Sequence, residues 1–139
     1  MYTIRKKFKF EASHVLDEAF SKDCLNIHGH SYCMEVFISH KELNKDGMVM
    51  DFGRVKARIA PIIGEFDHAC IISFTNTKMK SFLQENKYKY FVMKQNPTAE
   101  NMCKYFYTEI FNVLSPKLNY KLKIRLHETE TGYAEYTEE

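Results

Sequence analysis

The chain has 139 residues, 45% hydrophobic and 27% charged, with 20 basic and 18 acidic side chains. A chain of this length can bury roughly two thirds of its unfolded surface, so residues 1–139 are expected to form a single domain that needs no disulfide staples. A net charge of +2 with no unopposed basic stripe argues against nucleic-acid binding. No apolar run reaches the ~20 residues of a membrane span. The four cysteines are scattered without CxxC spacing, and the N-terminal stretch has no apolar targeting core, which points to a reducing, cytoplasmic compartment.

Residues 2 to 14 alternate. Ile4, Phe8, Phe10 and Ala12 are apolar and even-numbered, whereas Arg5, Lys7, Lys9 and Glu11 are odd. That period of two predicts a half-buried strand, with His14 closing its apolar face. Residues 15 to 27 read as a loop. Residues 28 to 39 alternate again, with His28 and His30 in the parity of Tyr32, Met34, Val36 and Ile38. Asp51 can cap a helix from Phe52 to Phe66 whose apolar positions are Val55, Ile59, Ile62, Ile63 and Phe66. Pro61 should kink or split that helix, and Gly64 should loosen its end. Residues 69 to 96 carry little pattern beyond a possible short strand in "YKYFVM" (88 to 93). Thr98 is the expected N-cap of a second helix, with Glu100 in its first turn, running to "SP" at 115 and 116. "KLKIRLHE" alternates with Leu122, Ile124, Leu126 and Glu128 on one face, and "GYAEY" is the expected last strand. The elements follow the order β-β-α-α-β-β, an α+β fold.

Three histidines, His14, His28 and His30, each stand at an end of an apolar strand face. In adjacent antiparallel strands those ends meet. Three imidazoles with one open position form a recurring catalytic zinc arrangement. A zinc ion there polarises a substrate oxygen or lowers the pKa of a bound hydroxyl. A structural zinc site would want a fourth protein ligand, which Cys24 can supply. On spacing alone Cys24 is a zinc ligand, a small buried hydrophobe or a base. Asp67 beside His68 suits proton relay, since a carboxylate orients a histidine and raises its basicity. Glu128 can grip a ligand edge that offers two donors.

"FEASH", "CLNIHGHSY", "GMVMDFGRVK", "FDHA", "NPTAEN" and "ET", in this order, resemble the 6-pyruvoyl-tetrahydropterin synthase superfamily from Phe10 to Tyr136. The three-residue gap between Cys24 and His28 is most similar to the 6-carboxy-tetrahydropterin synthase branch of the queuosine pathway. The stretch between His68 and Pro97 is longer than in short bacterial members. The resemblance implies a tunnelling fold (T-fold): a four-stranded antiparallel sheet with two helices on one face. It implies a homo-oligomer, trimer or hexamer, with active sites between subunits. It implies zinc on His14, His28 and His30, Cys24 as general base, and Asp67 and His68 as relay partners. Glu128, with Thr129 beside it, matches the pterin anchor, sometimes counted within the relay; Thr98 and Glu100 match the pterin pocket. The implied reaction converts 7,8-dihydroneopterin triphosphate to 6-carboxy-5,6,7,8-tetrahydropterin, with loss of acetaldehyde and triphosphate. The alternatives are the sibling 6-pyruvoyl reaction and a non-catalytic, zinc-stabilised binding or assembly module.

Overall fold

The structure is a computed structural model that describes residues 1–17, 19, 21–114 and 119–139. Strand β1 (Tyr2–His14) pairs along its whole length with antiparallel β2 (His28–His40), from Tyr2 opposite His40 to His14 opposite His28. The loop between them holds one short 3-10 turn, Lys22–Leu25. Helix α1 (Phe52–Phe66) leads into β3 (Ala69–Ser73), and α2 (Thr77–Glu85) leads into β4 (Tyr90–Met93). Helix α3 (Ala99–Val113) precedes the hairpin of β5 (Lys121–His127) and β6 (Tyr133–Thr137). The expected helix stop at Ser115 and Pro116 lies outside the described residues.

Among the described residues the sheet has six strands in the order β4-β3-β1-β2-β5-β6. Its β1-β2-β5-β6 block is the expected four-stranded antiparallel sheet. Strands β3 and β4 extend it in parallel along the β1 edge, where Ala12 pairs with Ala69. The expectation of four strands and two helices therefore lacks β3, β4 and α2, although β4 falls within the possible short strand at 88 to 93. The cause is burial. All five residues of β3 are buried, so the strand has no polar face and no alternation to read.

Even-numbered side chains of the antiparallel block form the core with α1 and α3: Phe10 stacks on Tyr32 at 4.9 Å between ring centroids and meets Phe106 edge-on at 5.7 Å. Helix α2 covers the other face of β3, where Leu83 and Met79 pack on Cys70, Ile72 and Val15. Among the described residues the rest of the odd-numbered face carries no helix. All five predicted apolar positions of α1 are buried.

Pro61 does not split α1, which runs unbroken to Phe66. Pro61 and Ala57, the residue whose carbonyl loses its donor, both lie on the exposed side, where water can serve instead. Gly64 does not end the helix early either, because Lys89 Nζ donates to the carbonyls of Gly64 (2.6 Å) and Asp67 (2.7 Å). Asp51 and Thr98 are the N-caps, accepting from the backbone N–H of Arg54 and Asn101 respectively. Among the described residues no helix is long and apolar enough to cross a membrane.

Candidate metal centre and adjoining cavities

Antiparallel pairing sets His14 directly opposite His28, and His30 opposite Ala12 two residues further along. Shared parity sends all three rings to the helix-bearing face. Their Nε2 atoms converge: His14 to His28 at 2.9 Å, and His14 to His30 at 3.2 Å. Zinc–nitrogen bonds of about 2.0–2.1 Å put the edge of a tetrahedral shell near ~3.3 Å, close to these separations. The residue between the two β2 histidines is a glycine for a reason of space. A Cβ on Gly29 would lie 3.2 Å from the Ala12 carbonyl oxygen.

The tautomers show that the group fits a cation. His14 Nδ1 donates to the Pro97 carbonyl (2.9 Å), and His28 Nδ1 donates to the Asn26 carbonyl (2.7 Å). A neutral imidazole that donates from Nδ1 has only a lone pair at Nε2. His14 is buried, and burial, opposed by the Pro97 bond, lowers its pKa, so its neutral form is favoured. The His14 Nε2 lone pair then faces His28 Nε2 across 2.9 Å. A cation bound by these nitrogens would draw on that lone pair. Backbone carbonyls that orient ligand imidazoles are the usual outer support of a histidine metal site. Burial also lowers the pKa of His30, against the pull of Glu128.

Glu128, just past the end of β5, joins the same group. Its Oε1 lies 2.9 Å from His30 Nε2 and 3.9 Å from His14 Nε2. Ligand atoms of His14, His28, His30 and Glu128 all fall within 4.8 Å of one another. Cys24 is not in this group; it is half-buried in the 3-10 turn, a free thiol, its N–H bonded to the Ser21 carbonyl. Glu128 also lines a cavity of about 310 Å³ together with Glu100, Thr129, Ala99, Gly132 and Tyr133. Thr98 stands next to that cavity's wall in sequence, with its hydroxyl engaged as the α3 cap.

Asp67 and His68 lie elsewhere on the chain's surface, at the junction of α1 and β3. Both are held to β1 through one residue: Asp67 Oδ1 accepts from the Glu11 N–H (3.0 Å), and the His68 N–H donates to the Glu11 carbonyl (2.6 Å). Asp67 Oδ1 sits 3.1 Å from His68 Nδ1. The Glu11 N–H, helped by His68, holds the Asp67 carboxyl below the usual carboxylate range. His68 has φ 61°, a left-handed conformation that an L side chain enters at a cost of about 1–2 kcal/mol. Its side chain is 78% exposed. It lines a second cavity, of about 620 Å³, that His30, Glu11, Ser31, Phe82 and Lys89 also line. The Pro97, Asn26 and Glu11 contributions all come from backbone atoms, which leave no residue signature in a sequence.

Comparison with known proteins places the chain in a family. The sequence profile of the family described as 6-pyruvoyl tetrahydropterin synthase matches residues 3–139. The chain belongs to that family. It is 35% identical to the 6-carboxy-5,6,7,8-tetrahydropterin synthase of Aquifex aeolicus, over 99% of each chain. It is 36% identical to the enzyme of the same name from Haemophilus influenzae, over 99% of this chain and 100% of that one. Among solved structures, an uncharacterized protein from Wolinella succinogenes superposes with a TM-score of 0.86 at 21% identity, over 99% of this chain and 98% of that one. The 6-pyruvoyl tetrahydropterin synthase of Caenorhabditis elegans gives 0.72 at 23% identity, over 99% and 96%. Those two likenesses establish the family fold.

Proposed function

We propose that this member of the family converts 7,8-dihydroneopterin triphosphate and water to 6-carboxy-5,6,7,8-tetrahydropterin, acetaldehyde and triphosphate, a step on the way to queuosine. The observation that carries the reading is the convergence of three Nε2 atoms beside a cavity walled by Glu100, Glu128 and Thr129. The full-length relatives at 35% and 36% identity name the carboxy reaction.

His14, His28 and His30 hold a zinc ion, and zinc, when bound, supplies Lewis-acid polarisation of the substrate's side-chain oxygens. The chain's own residues do the rest. Glu128 accepts from the amino and amide edge of the ring, with Thr129 and Glu100 on the walls beside it. Thr98 fixes the helix start that carries Ala99 and Glu100. The Cys24 thiolate takes a proton from the substrate side chain, and a cation nearby favours that thiolate. Asp67 stays ionised and orients His68, which returns protons. The Asp67–His68 pair is exposed and stands outside the metal group, which supports a site completed between subunits of a homo-oligomer, trimer or hexamer, with each pair serving a neighbour. The protein works in the cytoplasm.

Product analysis tests the assignment. Incubation of the zinc-loaded protein with 7,8-dihydroneopterin triphosphate should release acetaldehyde and triphosphate in equal amounts. Triphosphate release without acetaldehyde would overturn the carboxy reaction in favour of the 6-pyruvoyl one. Release of neither would favour a non-catalytic module.

A further inference from the structure

Glu128 belongs to two places at once. Its Oε1 is 2.9 Å from His30 Nε2, inside the four-residue donor group, and the same side chain walls the 310 Å³ cavity with Glu100 and Thr129. It is 29% exposed, and its ion-pair contacts among the described residues are His30 and His14, with no lysine or arginine. A carboxylate with no lysine or arginine paired to it, its oxygen set among three converging imidazole Nε2 atoms, has the chemistry of a metal ligand. One set against the donor edge of a ring is an anchor.

We propose that Glu128 is an exchangeable fourth ligand: without substrate its carboxylate closes the donor set of His14, His28 and His30, and a ring entering the adjoining cavity draws it away. The proposal rests on the pterin reading of that cavity and deepens it. Three neutral imidazoles leave the dication's charge uncompensated, and Glu128 is the anionic member of the group. Its backbone is fixed by the N–H bond to the Gly132 carbonyl (3.2 Å), so the exchange needs only side-chain torsions. It keeps the open position shut against water and stray anions until the ring is seated. Ring and metal then compete for one carboxylate. By linkage, ring binding weakens metal binding by the same factor by which metal weakens ring binding.

The test measures zinc affinity by chelator competition, on wild type, Glu128→Ala and Glu128→Gln, with folding checked by circular dichroism. The probes are zinc alone and zinc with pterin, which has the ring edge but none of the side-chain oxygens. Without pterin, both variants should bind zinc about tenfold or more weakly than wild type, the scale seen when support around a metal site is removed. Saturating pterin should weaken zinc binding to wild type and leave the variants unchanged. Equal zinc affinities in all three proteins would overturn Glu128 as a ligand. Pterin that binds wild type without changing zinc affinity would overturn the exchange and make Glu128 a fixed ligand. Pterin that fails to bind zinc-free wild type would overturn both the exchange and the pterin reading of the cavity, with the zinc arm still reporting on the ligand.

Discussion

The two nitrogens of His14 have separate jobs, and two substitutions separate them. His14 is buried, donates from Nδ1 to Pro97, and presents Nε2 to His28 and His30. In His14→Asn the side-chain amide can stand where Nδ1 stood and keep the Pro97 bond, but nothing replaces Nε2. In His14→Gln the amide reaches toward the Nε2 position and leaves the Pro97 carbonyl without a donor. The metal-free Gln variant should therefore lose about 1–3 kcal/mol, the cost of a buried unpaired polar group. The metal-free Asn variant should stay near metal-free wild type, because it keeps that bond. Both should bind zinc at least ~100-fold more weakly, beyond the 10–100-fold cost of losing an outer support. Urea unfolding of chelated proteins gives the first comparison, and metal analysis after equilibrium dialysis gives the second. Chelated wild type should remain folded, since its apolar core is complete without metal. Wild-type zinc affinity in His14→Asn, or equal metal-free stability of Asn and Gln variants, would refute this division of roles.

Three other substitutions probe the remaining groups. Cys24→Ala should retain zinc, because the thiol stands outside the four-residue donor group, while turnover falls by ~10²–10⁴, the usual cost of losing a proton-transfer group; loss of zinc from the folded variant would make the thiol a ligand. His68→Gly should be more stable than His68→Ala by about 1 kcal/mol, since glycine accepts φ 61° without strain, and both should be inactive; equal melting temperatures would contradict the strain. Glu35 is buried on the helix-free face, where His127 Nε2 (2.8 Å) and Arg5 Nη1 (2.9 Å) donate to it. Burial pushes its carboxyl up, but those hydrogen bonds outweigh it and hold the pKa below the ordinary value. Stability from this group is thus fully present above about pH 4.3 and is lost as pH falls through the depressed folded value. Glu35→Gln should cost about 1–2 kcal/mol at pH 7, with half-exposed Arg5 contributing the smaller part, and the gap to wild type should close in acid. A gap that persists unchanged at pH 3 would assign the loss to packing.

The period-two pattern made both long strands legible, and with them the shared face of His14, His28 and His30. Glu128 was legible in the same way, as the last even position after Leu122, Ile124 and Leu126, although its place among the histidines was not. That depends on how β5 aligns with β2, where Cys33 faces His127, and no local pattern encodes the alignment. Strand β3 was hidden because both its faces are buried. Helix α2 was hidden because only Leu83 of its residues is buried, too little for a helical stripe. The conformation of His68 ran against its residue type.

The register of β1 on β2 ties the core to the chemistry. A one-residue slip of pairing sends every side chain of a strand to the opposite face. Here it would turn His28 and His30 toward the helix-free face and leave His14 alone above Pro97. It would also expose Tyr32, Met34, Val36 and Ile38, each no more than 1% exposed in the native register. Fully burying such side chains is worth about 1.5–3 kcal/mol apiece, so the slip is opposed by several kcal/mol of apolar burial that has no contact with a substrate. The three-histidine group needs no separate device to hold its two strands in step. It takes its position from the same alternation that builds the core, and only Gly29, spaced 3.2 Å from the Ala12 carbonyl oxygen at its virtual Cβ, marks a place where the strands had to be fitted to each other at the site itself.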